Sequence, residues 1–372
     1  MVLKKLKLVN FRNYVDEEIV FNHGINILFG QNGQGKTNIL ESLYYLGLTK
    51  SFRTNNDQNL ILNNAPFFRI EGEFSTDVKR KVVVSLALSL SEGKRLKVNQ
   101  QKILKFSDYI GTVPLVLLAP SDLDISQGGP HRRRQFLDIM LSQSSRLYLH
   151  HLLQYRRSLK QRNLLLQAEG MSDPPALEAW EEALIQHGIV LIEKREEAVR
   201  QIDEMVKTYY GRLSGKTDKV KIVYQSSLNI NGPDSRPEGY RQAMTRNREK
   251  DRQLQTTRVG PHRDDMLFLI NGKPLRWMGS QGEHKTFIIA LRMAEYQYLQ
   301  TVRESLPLLL FDDIFGELDG SRIGNMIESL SRIGQVFITT TSPDFFGKVE
   351  NWQGETSFYE IVNGKVSARE LV

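Results

Sequence analysis

Eight residues constrain this chain more than any others: Gly30, Gln31, Asn32, Gly33, Gln34, Gly35, Lys36 and Thr37, which spell G-x-x-x-x-G-K-T. The apolar run 25–29 ahead of them is short enough for one buried strand. Ile39, Leu40, Leu43 and Leu46 behind them recur at helical spacing. Strand, glycine loop and helix in this order form the context of a phosphate-binding P-loop. Glycines let successive backbone N–H groups turn toward a polyphosphate, and the helix N-terminus adds its partial positive charge. In such a loop Lys36 reaches the β- and γ-phosphates of a nucleotide and Thr37 holds Mg2+.

Composition narrows what surrounds the loop. With 372 residues the chain can bury a large core and form two or three subdomains. It has no cysteine, which excludes a disulfide framework, a thiolate metal site and a cysteine nucleophile. Lys4, Lys5 and Lys7 are not followed by an apolar segment of signal-peptide type, and the longest apolar runs, near 113–119 and 306–311, are too short to cross a bilayer. The expectation is a cytoplasmic protein without a membrane partner. The formal net charge is +7, which suggests a polyanionic partner. Residues 131–165 carry eight Arg or Lys (132, 133, 134, 146, 156, 157, 160, 162) against the single acid Asp138. These cations are candidates for phosphate contact, or for ion pairs with acids elsewhere in the fold.

In chain order, Leu6 and Leu8 alternate with lysines as a half-buried strand does, and 18–21 reads as a second strand. Arg12, in the loop between them, either reaches the nucleotide or is a solvated loop arginine. Segments 69–74, 81–88 and 94–98 predict an antiparallel meander, and 113–118 a buried strand. A long helical stretch begins after 128–130 and breaks at 169–175; a second runs from about 176 to 211. A strict heptad would put His187, Lys194 and Gln201 at core positions, so the pair reads as a helical hairpin and not a continuous coiled coil. Residues 221–224 return to strand, 226–239 read as loop, 241–252 as a basic helix, 256–265 as a dense polar cluster, and 267–275 as a hairpin around an Asn-Gly turn. His131 and His262 lack the spacing of a metal site.

Three further stretches bear on a nucleotide. Ser280 begins a helical pattern with Gly282 and Glu283, either as a phosphate-donating helix start or as a plain capping box. The apolar run 307–311 ends in Asp312 and Asp313; the first is placed to hold the Mg2+ shell and the second to orient or deprotonate a water. The run 335–342 is one more buried strand with a polar end.

Taken in this order, the motifs resemble the ABC-type ATPase heads of SMC-like proteins. Residues 10–14 (Asn-Phe-Arg-Asn-Tyr), 120–138, 260–265 (Gly-Pro-His-Arg-Asp-Asp) and 280–283 resemble, more closely, the RecF family of bacterial recombination-repair proteins. The resemblance spans nearly the whole chain. It implies an α/β fold: an ABC-type P-loop head, with a mixed sheet plus an antiparallel meander, and an inserted helical arm. The expected division is 1–125 and 213–372 for the head and 126–212 for the arm. It also implies that 30–37 are Walker A, Asp312 the Walker B carboxylate, Asp313 the general base, 280–283 the signature and 317–319 the D-loop. Arg12 would contact nucleotide, and Thr340 or Thr341 would take the place of the switch histidine. Gln127 is a candidate Q-loop residue. The implied cofactors are ATP and Mg2+, with Ser280 and Gly282 meeting the ATP of a second copy. The implied activity is an ATP-gated homodimer and weak ATPase that binds double-stranded and gapped DNA and recruits RecR with RecO. Asp in place of Glu at 313 and a hydroxyl in place of the histidine suggest slow hydrolysis. An SMC-like structural clamp, a P-loop metabolite kinase and a transporter ATPase subunit are the alternatives.

Overall fold

The helix that follows the glycine loop is apolar on nearly every side, a pattern that only a helix covered all round can satisfy. The computed structural model describes residues 1–76, 80–168, 174–228, 235–303, 305–314, 333–343 and 355–369. In chain order its elements are β1 (Val2–Phe11), β2 (Tyr14–Val20), β3 (Ile25–Phe29), α1 (Lys36–Leu48), β4 (Phe67–Ser75), β5 (Lys81–Ser89), β6 (Gly93–Val98), β7 (Gln101–Ile103) and β8 (Leu115–Leu118). They continue with α2 (Leu123–Gln127), α3 (Pro130–Ser144), α4 (Arg146–Gln167), α5 (Pro174–Ser214), β9 (Val220–Gln225), α6 (Arg236–Gln253), β10 (Asp265–Ile270), β11 (Lys273–Pro274) and α7 (Leu275–Met278). Then follow α8 (Gln281–Arg303), β12 (Leu308–Asp312), β13 (Val336–Thr340), β14 (Thr356–Val362) and β15 (Lys365–Arg369).

The chain divides into two compact units: Met1–Asp122, Gly211–Lys216 and Ile289–Val372 form the first, and Leu123–Tyr210 with Thr217–Ile288 the second. This differs from the expected division, in which everything after 212 belonged to the head. Residues 217–288 group with the helices instead, because β10 packs on α3 and Arg133 of α3 is bonded to Asp265 at the start of β10.

In the first unit, one sheet is antiparallel with the order β2-β1-β4-β5-β6-β7. The other has the order β15-β14-β3-β13-β12-β8 and is parallel except for β15 at its edge. Strands β8, β12 and β13 are buried along their full length, as parallel strands covered on both faces are. Helix α1 lies between the two sheets and contacts both. Ile39, Leu40, Leu43, Tyr45 and Leu46 join Leu6, Phe68 and Ile70 of one sheet and Leu28, Leu308, Leu310 and Phe337 of the other in a single core. Parallel register then sets Phe29 beside Thr340 and Thr339 beside Asp312, so the ends of β3, β13 and β12 lie side by side.

The second unit holds α2, α3, α4, most of α5, α6, α7, the start of α8 and the small sheet β11-β10-β9. The long helical stretch expected after residue 130 is two helices. Ser145 leaves helical geometry at φ −139°, and its hydroxyl accepts from the Tyr148 N–H as the N-cap of α4. The Asn271–Gly272 turn has the two positive φ angles, 52° and 76°, of the expected hairpin. Helix α6 starts at Arg236, inside the stretch read as loop.

The interior of this unit is unusually polar, and the basic run supplies much of it. Arg162 is fully buried; it donates to Glu181 at 2.8 Å and to Asp251 and Thr257, also at 2.8 Å. Arg195 donates to Asp138 at 2.7 Å and to the Pro261 carbonyl at 2.6 Å. Leaving any one of these cations without its carboxylate would strand a charge in the core.

The cluster 256–265 closes this network. A Cβ on Gly260 (φ 123°) would sit 2.0 Å from the Tyr240 hydroxyl, so only glycine fits there. His262 bonds the Thr257 carbonyl through Nε2 at 2.9 Å and the Tyr155 hydroxyl through Nδ1 at 2.6 Å. A carbonyl can only accept, so Nε2 carries the proton and Nδ1 accepts from Tyr155. Burial, together with Arg263, Arg134 and Arg195 nearby, pushes the His262 pKa down to about 4. Below pH ~6.5 the unfolded chain therefore takes up a proton that the folded chain refuses until about pH 4. Stability falls as pH drops through that window, by up to about 3 kcal/mol from this residue. Denaturant melts of wild type and His262→Gln at pH 7 and pH 4.5 test this: the gap in stability between them is expected to shrink at the lower pH.

Candidate nucleotide-binding site

Buried strand β3 ends at Phe29, and the loop 30–35 carries the chain back into α1. Gly35 is the N-cap of α1 at φ 118°, with no side-chain cap and no acid in the first turn of the helix. The first N–H groups of α1 are thus open to an anion. A Cβ on Gly35 would meet Asn13 Nδ2 at 2.7 Å and the Tyr14 hydroxyl at 2.8 Å, so the β1–β2 turn is moulded against the loop. Tyr14 donates from that hydroxyl to the Gly35 carbonyl at 3.0 Å, and Asn13 donates to the Gln34 carbonyl at 2.9 Å.

The Lys36 ammonium is held by carbonyls of its own loop, Gly30 at 2.7 Å and Gln31 at 2.9 Å. Burial lowers its pKa, while Asp313 and Asp312 pull it back up. Gln31, Asn32 and Gly33 form the exposed rim of the loop. Thr37 donates to Asp312 Oδ1 at 2.8 Å across 275 residues of sequence. Thr339 donates to the same oxygen at 3.0 Å and accepts from the Asp313 N–H at 2.9 Å. Burial raises the Asp312 pKa, opposed by its bonds from Thr37 and Thr339. Asp313 is different in kind: it is exposed and sits at φ 49°, just past the strand end. A buried carboxylate against a hydroxyl, both hard oxygen donors at the mouth of the loop, fits Mg2+. An exposed carboxylate beside it can take a proton from water.

The other expected residues fall as follows. Arg12, at φ 57° in the β1–β2 turn, holds the fully buried Glu41 of α1 in a bidentate pair at 2.7 and 2.8 Å and donates to the Asn59 carbonyl at 2.8 Å. All three of its nitrogens are so engaged. Thr340 is buried, and its hydroxyl closes a turn on Ser342. Ser280 and Glu283, in the second unit, form a full capping box: Ser280 N–H and hydroxyl both donate to the Glu283 carboxylate, and Glu283 N–H donates to Ser280 Oγ. Gln127 donates to Gln281 beside that box, at 3.4 Å. The expected D-loop, 317–319, lies outside the described residues. No group of three or more His, Cys, Asp or Glu among the described residues could hold a metal.

Several contributors were not read from sequence. Thr339 is one; its neighbour Thr340 was named instead, as the polar strand end standing in place of a switch histidine, whereas the register sets Thr339 against Asp312. Asn38 is another, donating to Asn13 at 2.8 Å and accepting from Arg53 at 2.8 Å. The third is the β14–β15 turn, where Asn363 N–H donates to the Gln34 side chain at 2.6 Å and Gly364 N–H to the Gln34 carbonyl at 3.2 Å. That turn is another Asn-Gly pair, like Asn271–Gly272, so the signal for it was present in the sequence.

A P-loop on a central parallel strand, a carboxylate strand two places along, and an antiparallel sheet over the P-loop helix define an ABC-type ATPase head. The RecF/RecN/SMC N terminal domain family matches residues 2–361. The chain is 37% identical over 367 residues to the DNA replication and repair protein RecF of Streptococcus gordonii, covering 98% of this chain and all of that protein. It is 36% identical over 376 residues to RecF of Halalkalibacterium halodurans, covering 99% of this chain and all of that one. Among solved structures, the recombination mediator protein RecF with ATP, of the RecFOR pathway, superposes with a TM-score of 0.90 at 28% identity, covering 99% of this chain and 98% of that one. An Smc head bound to the C-winged helix domain of ScpA shares the fold, with a TM-score of 0.58 at 15% identity over 100% of this chain and 98% of that one. The chain belongs to the RecF family.

Gly35→Ala tests the loop directly. The added methyl group meets Asn13 and Tyr14, and alanine resists φ 118°. Nucleotide affinity measured by titration calorimetry should fall at least about tenfold, with a smaller loss in thermal stability than a core truncation of 2–5 kcal/mol would give.

Proposed function

We propose that this protein binds ATP through 30–37 and uses it to hold two copies of itself together on DNA. One observation carries the reading: Thr37 and Asp312 meet in a partly buried hydrogen bond at the open N-terminus of α1, with the Lys36 ammonium beside them. In the proposal the N–H groups of the loop, from Gly30 to Lys36, bind the phosphates. Thr37 and Asp312 hold Mg2+, which would neutralise phosphate charge. Asp313 takes the proton of the attacking water. Arg12 acts at one remove, by fixing Glu41 and hence α1. Thr340 shapes the strand end beyond the γ-phosphate.

The second half of each site comes from the signature of the other copy. Ser280 and Gly282 start α8, and the residues just ahead of them, Trp277 and Met278, are 75% and 62% exposed. Large apolar side chains this open beside a helix N-terminus suit a surface that a partner covers. ATP sandwiched there would drive dimerisation by linkage, and loss of the γ-phosphate would release it. The name of the family's members, DNA replication and repair protein, supports duplex and gapped DNA as the substrate and the maintenance of replication as the setting. The pathway named for the solved structure supports recruitment of RecR, with RecO, at duplex–single-strand junctions.

Light scattering behind gel filtration checks the switch. Wild type should double in mass with ATP and not with ADP, while Lys36→Met and Ser280→Arg should stay monomeric. ATP-dependent binding to duplex and gapped DNA should be lost in both variants; DNA binding that persists in both would detach ATP from the DNA role. Turnover should be slow, below the ~1–1000 s⁻¹ common among enzymes, since Asp313 is a short base and no histidine stands at Thr340. A DNA-stimulated rate in the middle of that range would contradict this assignment.

A further inference from the structure

Helix α4 carries a line of side chains that none of the described residues covers. Arg146, His150, Leu153, Arg157, Lys160 and Leu164 are all exposed and follow one another at spacings of 4, 3, 4, 3 and 4 residues. That spacing keeps them on a single face over about 27 Å of helix. Leu153 and Leu164 are 44% and 49% exposed, and Leu147 beside the line is 54% exposed. The helix has no acidic residue along its length. Other cations of the same basic run are committed to neighbours: Arg133 to Asp265, Arg156 to Asp138, Arg162 to Glu181 and Asp251. Arg146, Arg157 and Lys160 have no hydrogen-bond or ion-pair partner among the described residues. At the C-terminal end of the line a hollow of about 360 Å³ opens between Arg156, Leu159, Lys160, Asn163, Leu164 and Gln167.

We infer that this face of α4 is a docking site for an acidic amphipathic helix of a partner protein. The spacing is that of a helix seam, where apolar side chains of one helix fill the gaps of another and charged neighbours select the partner. Leucines on the partner cover Leu153 and Leu164 and enter the hollow; its carboxylates meet Arg146, Arg157 and Lys160. Duplex DNA fits the face less well, because phosphates would satisfy the cations and leave the leucines facing water. A second copy of α4 fits worse still, since it would set cation against cation. The site lies within the second unit and does not depend on the nucleotide reading.

The test uses full-length protein and three probes. The first is a labelled helical peptide of about 21 residues, with leucines at alternating 3- and 4-residue spacing flanked by glutamates. The second has serine in place of each leucine, and the third is a duplex of about 30 base pairs. Fluorescence anisotropy should show saturable binding of the leucine peptide and at least about tenfold weaker binding of the serine peptide. Two variants, Leu153→Ser with Leu164→Ser and Arg157→Glu with Lys160→Glu, should each weaken the leucine peptide about tenfold or more. The serine pair should leave duplex binding within about twofold of wild type, and because every change is at an exposed position the melting temperature should hold. Equal binding of the two peptides, or full affinity in the serine pair, would reduce the face to a charge track and overturn the assignment. So would an absence of peptide binding combined with loss of duplex binding in the charge-reversed pair, which would make α4 a phosphate contact.

Discussion

The hydrogen bond from Thr37 to Asp312 is the contact on which the head depends. Its two residues stand 275 positions apart, and each is delivered by a different part of the fold. Thr37 rides on α1, whose position is fixed by apolar contacts with both sheets; Asp312 ends a strand buried along its whole length. Strand β13 between them sets the register, and its Thr339 donates to the same carboxylate oxygen. A bond of this kind to a carboxylate contributes roughly 1.5–3 kcal/mol, little beside the core beneath it. Its importance is geometric: a slip of one residue in β12 would turn Asp312 to the opposite face of the sheet.

Around that bond the loop is braced from three sides by backbone and amide groups. The β1–β2 turn reaches it through Asn13 and Tyr14, the β14–β15 turn through Asn363 and Gly364, and α1 through Asn38. None of these residues is charged. A phosphate cradle must present N–H groups, and neutral amides and a phenol can brace the loop without adding charge to a mouth that already holds Lys36, Asp312 and Asp313. Two carboxylates, Asp312 and Asp313, stand at the mouth itself, where they face Thr37 and Lys36; the one further along α1, Glu41, is buried and neutralised by the bidentate Arg12. This explains why an arginine at a strand turn, far from the glycines in sequence, belongs to the same constellation.

Most of this head was legible because its signals are local. The P-loop strand, the helix with Ile39, Leu40, Leu43 and Leu46 at helical spacing, the meander and the strand ending in paired carboxylates are each signalled by short stretches of sequence. What escaped was set by register or by distant partners. Thr339 and Thr340 are indistinguishable in sequence, and only their alternation across β13 assigns one to Asp312 and the other to its own turn. The break at Ser145 was hidden because the helical period resumes at once; the cap, a serine whose side chain accepts from the third residue on, was the available sign. The grouping of 217–288 with the helices could not be read at all, since it rests on pairs such as Arg133–Asp265 that are 132 residues apart.

The basic run shows why net charge alone misleads. Eight cations against one acid within 35 residues suggested a polyanion-binding surface. In the fold, Arg133 and Arg162 are interior, facing acids contributed by later elements, and Arg195 of α5 joins the only acid in the run. Burying these guanidiniums is favourable only because each finds carboxylates and carbonyls in fixed geometry, which ties α3, α4, α5 and α6 to the 256–265 cluster. The same segment therefore does two physically opposite things. On the inner face of α4 its charge is neutralised and holds the unit together. On the outer face Arg146, Arg157 and Lys160 have no partner among the described residues and stand among exposed leucines, so the charge available to a partner is a small remainder of the eight cations.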